Sequence, residues 1–285
     1  MRRDVAPDDA DHMKPAWSPD GKNLAVVRVE RQGDRMDEAI YVMKADGTDL
    51  TRVHSTGLRP QSVLQLAWSP DGTQLAFIRM DWRTSGGVIR ESDAVMQLVV
   101  MDAEGTDVRA VTDGSEQVHS FSWSPDGKQI AYTVRYLATE HRFGHDLYLM
   151  NSDGTGVRQL TDNGRSLAPA WSPDGRRIAF LSWEPEGDII HRDVYIMRTD
   201  GTGRTRLTTD PAGEDHPTWS PDGTMILFAR YPARGPCKLL VVTPDDTSAP
   251  LAGPSPAPTG ERLLLSSEDL GGCPSDPSWQ PIVDG

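Results

Sequence analysis

Cysteine is scarce in this 285-residue chain, which has only Cys237 and Cys273. Two thiols cannot form the multi-bridge framework of a small secreted domain or a four-cysteine zinc site. Long hydrophobic runs are missing as well. The longest notable ones, residues 239–242 and 263–265, fall far short of the ~18 apolar residues that span a bilayer. The sequence therefore predicts no membrane span and no fold built on cysteines.

Positive charge is also in deficit, with 29 Lys and Arg against 42 Asp and Glu and a net charge of −13. A nucleic-acid partner requires clustered positive charge, so the composition argues against one. The chain starts with Met1, Arg2 and Arg3, but acidic residues follow where a signal peptide has its apolar segment. We expect either a cytoplasmic protein or part of a longer exported chain, periplasmic or extracellular.

Turn-forming residues are plentiful, with 26 Gly and 22 Pro. One pentapeptide, Trp-Ser-Pro-Asp-Gly, recurs unchanged at intervals slightly longer than the ~40–45 residues of a four-stranded propeller blade. Its copies begin at Trp17, Trp68, Trp123, Trp171 and Trp219, and a degenerate copy begins at Trp279. Pro fixes φ early in such a turn and Gly accepts the left-handed conformation. The motif therefore predicts tight hairpins, with Gly72, Gly127 and Gly175 at positive φ.

Each intact pentapeptide is followed by a short apolar strand and then by another strand, which in the first four units ends in Asp-Gly-Thr or Glu-Gly-Thr. The fifth unit lacks this glycine. The strand that leads into the motif tryptophan comes first in each unit, and a short strand comes last. We label the four strands of a unit A to D in chain order. This pattern predicts an all-β propeller of four-stranded antiparallel blades. We expect five complete blades, starting near residues 13, 64, 119, 167 and 215, and a lone sixth inner strand near 276–281. We expect residues 1–12 to form an N-terminal extension and residues 13–285 to form one propeller domain.

The two repeated motifs resemble those of the TolB family of β-propellers, to which tricorn-type and prolyl-oligopeptidase-type propellers are related. The resemblance implies a six-bladed ring closed by pairing a C-terminal A strand with strands from before the first repeat. Three outcomes are open: a ring that contracts around five blades, an edge supplied by a second copy, or, as we favour, a longer native chain that provides those strands. It also implies a periplasmic protein that binds a protein or peptide, like the C-terminal domain of TolB.

Alternating strand directions place the B–C and D–A connections of every blade at one end and the A–B and C–D turns at the other. The B–C connections, expected at 31–38, 81–93, 136–145 and 184–192, vary in length, so we place any binding site at their end. Trp82 and Trp183 begin two of them, where an exposed indole could anchor a partner. The tryptophans of the pentapeptide are expected to pack between blades.

Several polar residues are candidates at this end. His119, His216 and Asp215 precede a motif tryptophan by three or four residues, which places them near the mouth of a propeller channel. His141 and His145 stand four apart beside acids, but no third clear metal ligand accompanies them, and solvated loop histidines fit better. No Gly-x-Ser-x-Gly elbow and no P-loop occurs. The sequence therefore predicts no catalytic residue, metal or cofactor.

Two functions remain open. The first is a non-catalytic module that binds a protein or peptide on the B–C and D–A connections. The alternative is a propeller that binds a ligand or carbohydrate, or acts as an enzyme, through the polar residues of the channel mouth with Trp82 or Trp183 as a stacking surface.

Cys237 begins strand C of the fifth unit, and Cys273 lies shortly after strand D. The two thiols could share one edge, as a disulfide or as two free thiols.

Overall fold

All regular elements in the described part of the chain are β-strands. The computed structural model describes residues 12–32, 35–55, 61–82, 84–85, 88–89, 94–139, 142–184, 191–232, 235–244 and 261–266. Within these ranges no helix has the length and apolar character needed to cross a bilayer. The chain divides into two compact units. Of the described residues, 12–119 and 152–155 belong to the first unit, and 120–151 and 156–266 belong to the second.

The first unit holds two four-stranded blades. Blade 1 consists of β1 (His12–Trp17), β2 (Asn23–Gln32), β3 (Arg35–Lys44) and β4 (Thr51–Ser55), adjacent in that order. Blade 2 consists of β5 (Gln61–Trp68), β6 (Gln74–Asp81), β9 (Val95–Asp102) and β10 (Arg109–Ala110). A small hairpin of β7 (Thr84–Ser85) and β8 (Val88–Ile89) stands in the B–C connection of blade 2.

The second unit holds three more blades, the first of which begins at the boundary between the units. Blade 3 consists of β11 (Gln117–Trp123), β12 (Gln129–Thr139), β13 (Arg142–Asn151) and β14 (Arg158–Gln159). Blade 4 consists of β15 (Ser166–Trp171), β16 (Arg177–Ser182), β17 (Asp193–Arg198) and β18 (Thr205–Arg206). Blade 5 consists of β19 (Gly213–Trp219), β20 (Ile226–Tyr231), β21 (Lys238–Val242) and β22 (Arg262–Ser266).

The architecture expected from the repeats is confirmed as an all-β propeller with five four-stranded antiparallel blades. The strand expected near 276–281 lies outside the described residues. The sixth inner strand and the single domain spanning 13–285 therefore stay predictions.

The pentapeptide turns are built as their chemistry requires. In blade 3 the Gly127 amide donates to the Ser124 carbonyl at 2.9 Å, and Gly127 has a φ of 69°. The Ser124 hydroxyl donates to Asp126 Oδ1 at 2.7 Å and accepts the Gln129 amide at 2.9 Å. The hydrogen bond from Ser124 is the main reason that the pKa of Asp126 is lowered. The same serine–aspartate pair closes the turn in all five blades.

Trp68 and Trp219 of the pentapeptide motif pack between adjacent blades within their units. In the first unit, Trp68 lies in a buried cluster with residues of blade 1, and its Nε1 donates to the Ala16 carbonyl at 2.9 Å. In the second unit, Trp219 joins blade 5 to blade 4 and donates to the Ala170 carbonyl at 3.1 Å. Trp17 is 38% exposed. Inter-blade packing therefore accounts for Trp68 and Trp219, whereas Trp17 retains a large exposed surface.

Two connections expected to be loops are largely strand. Strands β2 and β3 pair as far as Gln32 with Arg35, and β12 and β13 pair as far as Thr139 with Arg142. In both hairpins the antiparallel pairing extends along the strands, with a register shift between Leu137 and Thr139 in the second, and alternate residue pairs add ladder hydrogen bonds. The described residues of the expected connections 31–38 and 136–145 are therefore paired strand residues and not open loops.

Candidate binding face

We call the end of the blades that carries the B–C and D–A connections the B–C/D–A face. In the second unit this face contains a buried ionic network. Glu214 of β19 stands directly opposite Arg230 of β20, so both side chains point to the same side of the sheet. Arg230 Nε donates to Glu214 Oε1 at 3.0 Å, and its Nη1 donates to Glu261 Oε2 at 2.8 Å. Asp210 Oδ2 lies 3.2 Å from the same Nη1. Three carboxylates therefore surround one buried guanidinium.

Thr208, which follows β18, links this network to blade 4. Its hydroxyl donates to Glu214 Oε2, while the Val194 amide donates to that hydroxyl at 2.9 Å and to the same carboxylate oxygen at 3.1 Å. Arg206 donates to Asp193 Oδ2 at 2.7 Å. Burial raises the pKa of Glu214 to about 7 and that of Asp193 to about 6, although the neighbouring arginines oppose both shifts. The network thus joins two blades at their common face.

Blade 3 repeats part of this arrangement. The buried Asp146 accepts the Tyr136 hydroxyl at 2.7 Å, the Thr161 hydroxyl at 3.0 Å and the Gly164 amide at 3.0 Å. The Leu147 amide donates to Thr161 at 2.9 Å, as the Val194 amide does to Thr208 in blade 4. Because these carboxylates are satisfied by groups that position the next blade, their first role is structural.

The inner strand of blade 5 contains a bulge that reorients a histidine. The pairing of β19 with β20 shifts register between Asp215 and Thr218, and His216 takes a φ of 53° just before Pro217. Bulges often redirect a side chain, and histidine tolerates positive φ better than most residues. Asp215 Oδ2 lies 3.9 Å from His216 Nε2 and 3.8 Å from Arg192 Nη1. These three partly exposed side chains form a small polar cluster.

A second group lies where blades 3 and 4 meet. The ring of His145 in β13 faces the edge of Trp183, with 6.4 Å between ring centroids. The His145 amide donates to the Gly164 carbonyl at 3.0 Å. His145 is therefore part of a strand and partly buried, and not the solvated loop residue that the sequence suggested. The neighbouring candidate, His141, lies outside the described residues.

The structure brings some candidates together and separates others. Within the second unit, Asp215 pairs with His216, and His145 pairs with Trp183. Trp82 is partly buried in the first unit, and His119 belongs to the same unit. No contact tests whether any of these six residues binds a partner, so the role of each in binding stays a prediction.

Only one of the two cysteines lies among the described residues. Cys237 is buried and disulfide-bonded. The other cysteine of the chain, Cys273, lies outside the described residues. The pairing of the two therefore stays a prediction. Among the described residues, no group of three or more His, Cys, Asp or Glu side chains is arranged to hold a metal ion.

The buried network was missed from the sequence, although a signal for part of it was present. Asp146 and Thr161 are 15 residues apart, as are Asp193 and Thr208. An acid in strand C, followed at this fixed offset by a threonine after strand D, could have marked both pairs. Arg230 carries no comparable signal, since its carboxylate partners lie on both sides of it in the chain, up to 31 residues away.

Comparisons with known proteins agree with this fold. Residues 87–236, just over half of the chain, match the family model of the TolB beta propeller domain. The Tol-Pal system protein TolB of Anaeromyxobacter sp. (strain K) is 38% identical over 125 residues, which cover 44% of this chain and 26% of that protein. Dipeptidyl-peptidase 5 of Porphyromonas endodontalis is 34% identical over 101 residues, which cover 34% of this chain and 14% of the peptidase.

A solved structure gives the same result over more of the chain. The putative TolB from Agrobacterium tumefaciens superposes with a TM-score of 0.63 at 25% identity, covering 93% of this chain and 84% of that one. The match to the curated TolB, in contrast, spans only about a quarter of that relative's length. The strand order, the repeated turns and the family match lead to one conclusion: this chain belongs to the TolB β-propeller domain family.

Proposed function

We propose that this chain is a non-catalytic module that binds a protein or peptide on its B–C/D–A face. One observation carries the proposal. The buried acids on this face, Glu214, Asp193 and Asp146, are each held by arginine, threonine, tyrosine or backbone donors of the same chain. Acids bound in this way brace the scaffold. The partly exposed aromatic and cationic side chains of this face, such as Trp183 and Arg192, supply the contact surface.

The proposal predicts a partner whose binding requires side chains of the B–C/D–A face. The full chain, immobilised, is used to recover a partner, and recovery is repeated with Trp183→Ser and with the control Val157→Ser. Val157 is 53% exposed and follows a C–D turn at the opposite end of blade 3. Loss with Trp183→Ser alone supports the proposal. The proposal is contradicted if all three proteins recover the partner equally well. It is also contradicted if both variants lose the partner.

A second function is favoured by the cluster of Arg192, Asp215 and His216. A carboxylate, a histidine and an arginine on one rim form a polar site of the kind that binds a small ligand or carbohydrate. A thermal-shift screen with divalent metal ions and a small glycan panel separates the two functions. Stabilisation of the wild type that is lost in His216→Ala would favour this alternative over the interaction module.

We place the binding in the periplasm or outside the cell if the sequence is part of an exported protein, and in the cytoplasm otherwise. The disulfide at Cys237 favours an oxidising compartment, where such bonds persist. Fractionation of the source cells, with the native protein detected by antibody, tests this assignment.

A further inference from the structure

The hydroxyl of Thr208 lies between two buried carboxylates that belong to different blades. Its oxygen contacts Glu214 Oε2 of blade 5 and lies 3.4 Å from Asp193 Oδ1 of blade 4. The Val194 amide donates to the same oxygen at 2.9 Å. A hydroxyl has one proton and two lone pairs, so Thr208 can donate to only one of the two acids at a time.

A proton on Glu214 completes this arrangement. The protonated carboxyl donates to Thr208, whose hydroxyl then turns to Asp193 while it still accepts the Val194 amide, so that its donor and both lone pairs are used. Without that proton, Thr208 donates to Glu214, and Asp193 loses this donor and keeps the bond from Arg206. Two like charges then face each other across one oxygen atom.

The elements packed around Glu214 bring more negative than positive charge. Inner strand β15 has no titratable side chain, and Arg177, the only one in β16, lies over the Trp219 ring at the other end of the blade. The charged groups of the network among the described residues are four carboxylates, two guanidiniums and one nearby histidine: Asp193, Asp210, Glu214 and Glu261, Arg206 and Arg230, and His191. A surplus of carboxylates favours the uptake of a proton.

Burial selects the acid that takes up this proton. The Glu214 side chain is completely buried, whereas Asp210 and Glu261 are partly exposed. Water stabilises an ionised carboxylate, so the protected acid is the one that stays protonated to higher pH. Burial accordingly raises the pKa of Glu214 to about 7 and that of Asp193 to about 6. Two acids coupled in this way titrate as a pair.

The same acids lie at the joint between blades 4 and 5. The Glu214 amide of blade 5 donates to the Arg192 carbonyl, just before β17 of blade 4, at 3.0 Å. Asp215 follows Glu214 in the chain, and its Oδ2 lies 3.8 Å from Arg192 Nη1 at the surface. Repulsion between the two buried acids therefore acts directly beneath this surface pair.

We propose that Glu214 and Asp193 share one proton through the Thr208 hydroxyl, and that this proton holds blades 4 and 5 together beneath Arg192 and Asp215. Loss of the proton at higher pH loosens the joint and the surface pair above it. The switch belongs to the chain itself and does not depend on the proposed function.

Blade 3 supplies an internal reference. Asp146 and Thr161 repeat the acid–threonine pair of blade 4. The next inner strand, however, has Ser166 five residues before its motif tryptophan, where blade 5 has Glu214. The Thr161 hydroxyl therefore serves one carboxylate, and no proton is missing there.

The test measures amide hydrogen exchange of the full chain by NMR from pH 5 to 8, with protection corrected for the intrinsic effect of pH. The Glu214 amide reports on the joint, and the Leu147 amide, which donates to Thr161, reports on blade 3. Because local opening hydrates Glu214, protection of its amide should fall by up to about tenfold per pH unit as the pH rises to about 7, and then level off. Leu147 should stay within about twofold over the same range.

Substitutions separate a shared proton from a general effect of charge. Glu214→Gln should abolish the fall, and Asp193→Asn should end it at a lower pH. Asp210→Asn removes the same charge from a more exposed acid of the network and should leave the fall in place. The Thr208 hydrogen bond opposes the effect of burial on the pKa of Glu214, so Thr208→Val should extend the fall to a higher pH, and Thr208→Ser should restore the wild-type profile.

Several results would overturn the inference. Constant protection of the Glu214 amide between pH 5 and 7 in the wild type is sufficient and needs no variant. An equal fall at Leu147, a fall that persists in Glu214→Gln, or a Thr208→Val profile like that of the wild type also overturns it. The experiment contains no partner, so each of these results leaves the proposed function to its own test.

Discussion

Glu214 and Arg230 form a buried cross-strand ion pair, in which one carboxylate oxygen accepts hydrogen bonds from two guanidinium nitrogens. The Glu214 side chain is completely buried, and that of Arg230 is 6% exposed. The pair lies in β19 and β20 of blade 5. The hydroxyl of Thr208, which follows the last strand of blade 4, donates a hydrogen bond to Glu214. It therefore couples the hydrogen bonding of two blades.

Removing one member of this pair should destabilise the fold strongly. Arg230→Met leaves the carboxylates of Glu214 and Glu261 without their guanidinium, and a broken buried pair costs about 3–5 kcal/mol. The free energy of unfolding is measured by urea denaturation. The double variant Glu214→Leu/Arg230→Met should be more stable than Arg230→Met alone. The exposed Arg176→Met, as a control, should change stability by less than ~0.5 kcal/mol.

Stability should depend on pH through Glu214. Because burial raises its pKa to about 7, the folded state holds this proton more tightly than the unfolded chain does. The resulting stabilisation is complete below the unfolded pKa of ~4.3 and is lost as the pH rises to about 7. The stability of the wild type relative to Glu214→Gln should therefore fall from pH 5 to 7, by at most ~1.4 kcal/mol per pH unit. A relative stability that rises over this range would refute the assignment.

The glycine of the pentapeptide turn should tolerate asparagine better than valine. Gly175 has a φ of 69°, and an added Cβ would meet Pro125 only at ordinary contact distances of 3.7 and 3.8 Å. The cost of substitution is then backbone strain, about 1–2 kcal/mol for most side chains and larger for a β-branched one. Gly175→Val should lower the urea midpoint more than Gly175→Asn does. Equal midpoints for wild type and Gly175→Val would contradict the turn geometry.

Two tryptophans with identical sequence contexts should differ in their contribution to stability. Trp219 is 5% exposed and bonds to Ala170, whereas Trp17 is 38% exposed. Trp219→Ala should cost about 3–5 kcal/mol, as for other buried aromatic residues. Trp17→Ala should cost clearly less in the same denaturation experiment. A larger loss for Trp17→Ala would show that its indole is covered in solution.

The disulfide at Cys237 should link it to Cys273. Peptide mapping of the unreduced protein by mass spectrometry should find one cross-linked pair that contains both residues. Reduction should lower the melting temperature, because the bond limits the freedom of the unfolded chain. Two alkylatable thiols in the untreated protein would contradict the pairing.

The local chemistry of the sequence was sufficient to predict the blades. Ser-Pro-Asp-Gly closes a hairpin with bonds that its own residues supply, as Ser124, Asp126 and Gly127 show. A motif whose interactions span five residues can be interpreted without tertiary information. For the same reason, its five copies set the positions of the five observed blades.

The length of the β12–β13 hairpin could not be predicted in this way. Residues 136–145 were expected to form a B–C connection of variable length, and Gly144 weakens a strand on propensity alone. In the structure the ring of Tyr136 covers Gly144, and Asp146 fixes the tyrosine hydroxyl. These contacts become visible only when the two strands are set in register.

The candidate site, like the fold, was predictable from the sequence only in part. The sequence by itself placed His145, Trp183, Asp215 and His216 at one end of the blades, because strand direction alternates after every turn. Only the tertiary structure showed that Glu214 and Arg230 are buried partners, with Thr208 and Glu261 beside them. Their interaction depends on desolvation and on distances between four separate segments, and neither is encoded in any local run of residues.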